Sequence, residues 1–110
     1  MNTTPLISIL VPTYNRVQYL KECLESIVIQ VWFCKNSELE LVISDNSESN
    51  DTAIFVWKFI SQNTNFPITY IRNNTNIGMV PNWNQLLNVK KWKYFIFLSD
   101  DDKFYYQSSL

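Results

Sequence analysis

A chain of 110 residues, 46% hydrophobic and 15% aromatic, can bury one core and fits a single small domain. Charged residues make up 17% and the net charge is −1, which is too sparse a supply of Lys and Arg for wrapping nucleic acid. The one glycine, Gly78, excludes a GxGxxG dinucleotide loop and a Walker P-loop, and Cys23 and Cys34 make neither a metal pattern nor a disulfide framework.

The N-terminal stretch "MNTTPLISILVP" has no basic start and no small-residue cleavage site, so it does not read as a signal peptide. No apolar run approaches the roughly 20 residues needed to span a bilayer. The expectation is a cytoplasmic protein, or one peripheral at the inner face of the membrane. "LISILVP" (6–12) is a nearly continuous β-branched run, the pattern of a strand buried on both faces. "TYN" follows, and then a helical period begins, with Asn15 as expected cap and Gln18 reaching back in a capping box. Leu20, Cys23, Leu24, Ile27, Val28 and Val31 form its apolar stripe, opposite Lys21, Glu22 and Glu25. On that stripe Cys23 reads as a small core hydrophobe.

A polar break at 35–38 precedes a second strand, "LELVIS" (39–44), closed by the turn-forming "DNSESND". A second helix, "TAIFVWKFI", sets Ala53, Val56, Trp57 and Ile60 on one face. Pro67 introduces a third strand, "ITYIR" (68–72), and the loop "NNTNIGMVPN" leads to a third helix with Pro81 in its first turn, where a missing N–H costs nothing. "YFIFL" (94–98) reads as a buried fourth strand, followed at once by Asp100, Asp101 and Asp102.

Strand and helix alternate throughout, so the predicted fold is α/β with a mainly parallel four-stranded sheet and helices on both faces. Right-handed crossovers put the C-terminal end of every strand on one edge, where ligands bind in open α/β sheets. The segments on that edge are "PTYN", "SDNS", "NNTNIG" and "SDDD", the most polar of the chain. "PTYN" offers backbone N–H groups near a helix start, which favour an anion, and the aromatic face of Tyr14. Arg16 and Arg72 both lie near the edge, where either reads as a phosphate partner or as a solvated charge. Asp45 reads either as a turn residue or as an acceptor for a ligand's N–H or hydroxyl groups. Three adjacent carboxylates repel one another unless something positive sits among them. Oxygen ligands of this kind suit Mg²⁺ or Mn²⁺ bridging to substrate phosphates, and the other reading is a solvated turn relieved by Lys103.

Taken together, "ISILVPTYNRVQYLKECLESIVIQ", "LELVISDNSESNDT", "NIGMVPNWNQLL" and "YFIFLSDDD" resemble, in order and spacing, the N-terminal half of family 2 glycosyltransferases. The resemblance covers nearly all of the chain. It implies a Rossmann-like GT-A half domain with strand order 3-2-1-4, and a nucleotide-diphosphate sugar as donor, UDP-sugars first among them. The variant loops "SDNS" and "LSDDD" look most like the bacterial branch that builds surface polysaccharides. By the same resemblance Pro12, Thr13, Tyr14 and Asn15 line the base and ribose, Asp45 bonds the base, and Asn84 matches the Asn after the N-x-G loop. Asp100 meets the ribose or the metal, Asp101 is the main ligand of Mn²⁺ or Mg²⁺, and Asp102 is a second ligand. Three positions depart from the family pattern. Ser44 replaces the first Asp of a common pair, Ser99 stands where many members carry the first Asp of the DXD motif, and Trp83 occupies a position often held by Arg.

Family members are more than twice this long, so residues 1–110 are expected to be the donor-binding part of a truncated domain. The general base and the binding surface for a saccharide or lipid-linked acceptor are expected beyond residue 110, with poor turnover by this piece alone. An exposed apolar surface then favours a homo-oligomer. The alternative from another class is a non-catalytic nucleotide-binding module. A receiver domain or a haloacid-dehalogenase-type phosphatase would need acidic residues after the first strand, where this chain has "PTYN".

Overall fold

A computed structural model of the chain describes residues 6–33, 38–64, 66–91 and 94–99. Its elements follow the expected alternation: β1 (Leu6–Thr13), α1 (Val17–Phe33), β2 (Glu38–Asp45), α2 (Asp51–Gln62), β3 (Ile68–Arg72), α3 (Met79–Val89) and β4 (Tyr94–Phe97). The four strands form one sheet in the order β3-β2-β1-β4, and every neighbouring pair is parallel. Order and direction both match the sequence expectation.

β1 and β2 are central strands, and this explains their nearly unbroken apolar runs. On one face Ile9, Val11, Leu41 and Ile43 pack against Leu20, Cys23, Leu24 and Ile27 of α1 and Val56 and Phe59 of α2. On the other face Leu10 and Val42 pack against Leu86 of α3. Each fully buried Leu or Ile contributes about 1.5–3 kcal/mol relative to exposure, so these two layers are the main source of stability. Cys23 is fully buried in the larger layer, as its stripe position implied. Cys34 lies outside the described residues.

Two polar residues interrupt the α3-side face of the sheet. Ser8 and Glu40 are register partners on β1 and β2, and the Ser8 hydroxyl donates to Glu40 Oε2 at 2.5 Å. The same oxygen accepts the Lys91 backbone N–H at 2.6 Å. A buried carboxylate thus ties the turn after α3 back to the middle of the sheet.

Three expectations are corrected. The stripe of α2 is Thr52, Ala53, Val56 and Phe59, whereas Trp57 is 58% exposed and meets the Tyr70 ring edge-on at 6.5 Å. Seven of the nine residues from Thr52 to Ile60 are apolar, so the pattern allows two adjacent stripes, and packing against α1 and β3 selects one. β4 is not a buried strand: Tyr94, Phe95 and Ile96 are all more than 40% exposed. It forms the sheet edge and pairs with β1 alone among the described strands. Asn15 does not cap α1. It takes a left-handed backbone (φ 49°), which Asn tolerates better than most residues, and its side chain turns to the loop after β2.

Candidate functional site

The register of the sheet aligns Thr13, Asp45 and Arg72 in one row at its C-terminal edge. A cleft of about 330 Å³ opens just beyond that row. Pro12, Thr13 and Tyr14 form its β1 wall, with Arg16 beside them at the start of α1. Asn46 comes from the end of β2, and Asn76, Gly78 and Met79 from the loop before α3. Asn82 and Trp83 of α3 and Ser99 after β4 complete it. Residues from the ends of all four strands therefore meet at one rim, Ser99 being the described part of the fourth loop, because parallel strands joined by helical crossovers must end together.

Two hydrogen-bond systems hold the rim. The first is centred on Asp45, which is fully buried. Its Oδ1 accepts the Ser47 N–H at 2.7 Å and its Oδ2 accepts the Tyr70 hydroxyl at 2.6 Å. The Ser47 hydroxyl in turn accepts the Asn15 N–H at 2.7 Å, and Asn15 Oδ1 accepts the Glu48 N–H at 3.1 Å. Burial of the Tyr70 phenol, reinforced by the hydrogen bond to Asp45 and by its charge, pushes the phenol's pKa well above the ordinary tyrosine value.

The second system is a cluster of amides between β2, β3 and α3. The Ser44 hydroxyl donates to Asn82 Oδ1 at 2.5 Å, and Asn82 Nδ2 donates to the Ser44 carbonyl at 3.1 Å. Gln85 Nε2 donates to the Ser44 hydroxyl and to Asn73 Oδ1. Asn73 Nδ2 donates to Asn46 Oδ1 and Asn82 Oδ1, and Asn46 Nδ2 reaches the Gly78 carbonyl at 3.1 Å. Ser44 thus supplies a neutral hydroxyl to a neutral network. The cluster also fixes the Gly78 turn, whose φ of +92° and ψ of 163° are essentially restricted to glycine.

Pro12, Thr13 and Tyr14 line the cleft. Asn15 instead lines a smaller neighbouring depression with Glu48 and Asp51. Asp45 reaches the rim, but its carboxylate is turned inward and occupied by Ser47 and Tyr70. Asn84 is exposed on α3 and is not among the residues lining the cleft, to which that helix presents Asn82 and Trp83. Of the two arginines, Arg16 lines the cleft, whereas Arg72 donates to the Ser49 carbonyl at 3.2 Å. Asp100, Asp101 and Asp102 lie outside the described residues. Among the described residues no three His, Cys, Asp or Glu side chains gather into a cation site. Ser99, which precedes the acidic run in sequence, does line the cleft.

Two features escaped the sequence reading. Asn82 is buried (3% exposed) and joins α3 to β2, and its only signal was its place one turn into a helix that starts at the rim. Trp83 stacks on Phe97 of β4, with ring centroids 4.9 Å apart and planes 24° off parallel, while remaining 40% exposed.

Comparison with known proteins agrees with this geometry. The chain is 43% identical over 99 residues to the abequosyltransferase RfbV of Salmonella typhimurium, an alignment covering 87% of this chain and 28% of that protein. The chain therefore spans well under a third of the relative's length. S. aureus TarS 1–349 in complex with UDP superposes with a TM-score of 0.73 at 27% identity, covering 88% of this chain and 28% of that 1–349 chain. The mannosyltransferase PcManGT from Pyrobaculum calidifontis, in complex with GDP-Man and Mn²⁺, shares the fold with a TM-score of 0.77 at 19% identity, covering 90% and 28%. These neighbours are GT-A glycosyltransferases, and the strand order found here is the one expected of that fold. The sequence model for "Glycosyl transferase family 2" matches residues 8–108, a span that takes in all four rim loops, and the chain belongs to that family.

Proposed function

We propose that the cleft binds the nucleotide-diphosphate sugar donor of an inverting glycosyltransferase serving bacterial surface polysaccharide synthesis. Residues 1–110 then form the donor-binding part of a longer domain. The observation that carries this reading is the convergence of residues after β1, β2 and β3, together with Ser99 after β4, on one cleft in a family 2 chain. Pro12, Thr13 and Tyr14 flank the base and ribose, with Tyr14, 44% exposed, offering its ring. Asn15 supports that wall from behind through Ser47. Asp45 acts as a positioning residue, because both of its oxygens already hold the protein. Arg16, which lines the cleft, contributes positive charge for the diphosphate.

Asp101 and Asp102 would hold Mn²⁺ or Mg²⁺, with Asp100 toward the ribose. Bound there, such an ion supplies Lewis-acid stabilisation of the leaving diphosphate. In the reaction the acceptor hydroxyl attacks the anomeric carbon, the bond from that carbon to the diphosphate oxygen breaks, and a base takes the hydroxyl proton. That base and the saccharide or lipid-linked acceptor belong to the remainder of the longer domain. These 110 residues bind the donor and turn it over poorly.

Thermal unfolding with UDP, GDP and CDP, each with and without Mn²⁺, tests the reading. A diphosphate at a hundred times its Kd should stabilise the fold by about 2.7 kcal/mol, a rise in Tm of roughly 10 °C. Asp101→Asn should remove the Mn²⁺-dependent part of that rise. If no nucleotide shifts the melting point, the cleft is not a donor site.

A further inference from the structure

We propose that the free edge of β4 is a docking surface for a second copy of this chain, the two β4 strands pairing antiparallel about a twofold axis. The proposal stands on the fold and is independent of the donor-site reading. The run "YFIFL" is apolar on both faces, the pattern that β1 and β2 carry as central strands. Its position does not match: among the described strands β4 pairs with β1 alone and forms the sheet edge. Tyr94 is 59% exposed, Phe95 43% and Ile96 41%. A strand with neither charge nor Pro between Tyr94 and Phe97 lacks the usual protection of an edge against pairing with another chain.

Exposed apolar side chains continue from the strand onto α3. Phe95 meets Phe97 edge-on at 5.7 Å, and Phe97 stacks on Trp83, which is 40% exposed. Val80, 64% exposed, lies one turn earlier on the helix. An aromatic side chain buries about 150–250 Å², so at these exposures the patch offers roughly 500 Å² per copy, near the upper end for a typical monomer. Two copies then cover about 1,000 Å², where a specific interface begins, and the paired backbone adds to it. The flanking charges select the direction. Lys90, Lys91 and Lys93 precede the strand in sequence, and Asp100, Asp101 and Asp102 follow it. An antiparallel pair sets the basic start of one strand beside the acidic end of the other, whereas a parallel pair sets like charges together. Antiparallel pairing is also isologous, so it closes at two copies.

Sedimentation equilibrium on the 110-residue chain tests the proposal. At roughly 100 µM, above the micromolar dissociation constants of small interfaces, the mass should be twice the 13.1 kDa of one copy and should fall on dilution. Tyr94→Lys with Ile96→Lys puts charge on the free edge and should weaken the pair about tenfold or more. Both side chains already meet solvent, so the far-UV circular dichroism should match that of the parent. Ile54→Lys, at a 61% exposed position on α2, should leave the pair within about twofold. Four results overturn the proposal: a monomer mass at that concentration, a mass beyond two copies, a dimer that survives the lysines on β4, or one that Ile54→Lys disrupts as strongly. Should the β4 variant fail to fold, the parent's melting temperature decides. It should rise with protein concentration, and a constant value rules the pair out.

Discussion

Replacing Asn82 by Leu isolates the amide cluster that joins α3 to the sheet. The two side chains have similar volume and shape, so the cavity contribution is small. Asn82 is 3% exposed and makes three hydrogen bonds, at 2.5 and 3.0 Å through Oδ1 and 3.1 Å through Nδ2. Asn73 keeps its bond to Asn46 at 2.8 Å, so the loss falls mainly on Ser44. That residue is fully buried, and its hydroxyl proton and its carbonyl both lose the Asn82 side chain. A buried polar group left unpaired costs about 1–3 kcal/mol, which puts the substitution at roughly 3 kcal/mol. Against a domain stability of about 5–15 kcal/mol this is a large fraction. Asn84→Leu, on the exposed side of the same helix, should change stability by no more than about 0.5 kcal/mol. Urea unfolding of both variants measures the difference through the midpoint at constant slope. In a Ser44→Ala background the Asn82→Leu loss should shrink, because the orphaned hydroxyl is gone. A loss below about 1 kcal/mol, or one equal to that of Asn84→Leu, would refute the role given to the cluster.

Tyr70→Phe should destabilise the fold by about 1–3 kcal/mol at neutral pH, since Asp45 Oδ2 loses its donor. Because the folded phenol's pKa is raised, the contribution of Tyr70 is complete below the unfolded value near 10 and is lost as pH rises beyond it. Stability should therefore fall less steeply above pH ~10 in the Phe variant than in the parent, and equal slopes would contradict the assignment. Gly78→Ala meets no steric obstacle beyond Pro81 Cδ at 3.6 Å, yet its φ of +92° should cost about 1–3 kcal/mol, read by thermal unfolding. Glu40→Leu should speed hydrogen exchange at the Lys91 amide and lower stability by about 1–3 kcal/mol, and unchanged protection of that amide would dissolve the proposed tie.

The architecture was legible because it follows from local patterns and handedness. The continuous apolar runs of β1 and β2, the Leu20–Cys23–Leu24–Ile27 stripe and Pro67 before β3 all mark their elements. Parallel strands with crossover helices then force "PTYN", "SDNS" and the "NIG" loop to one rim. Pro12, Thr13 and Tyr14 follow from that rule without any knowledge of packing, because they leave the C-terminal end of a central strand.

Other features depend on how each helix is rotated against the sheet, and short-range periodicity is blind to that rotation. The bonds of Asn82 and Gln85 to Ser44 span 38 and 41 residues of chain. One side of α3 turned toward β2 makes Asn82 structural and leaves Asn84 in solvent. The same rotation lays Trp83 on Phe97, and in α2 it sends Phe59 inward and Trp57 out. Asp45 was visible as a rim carboxylate, but its inward turn toward Tyr70 and Ser47 required β3 and the following loop to be in place. The residue types and their order along the chain specify a parallel sheet and the edge on which its site lies. Which side chains face the cleft, and which are spent holding it open, is settled by contacts between segments 25 to 41 residues apart, where a turn of one helix exchanges one Asn for another.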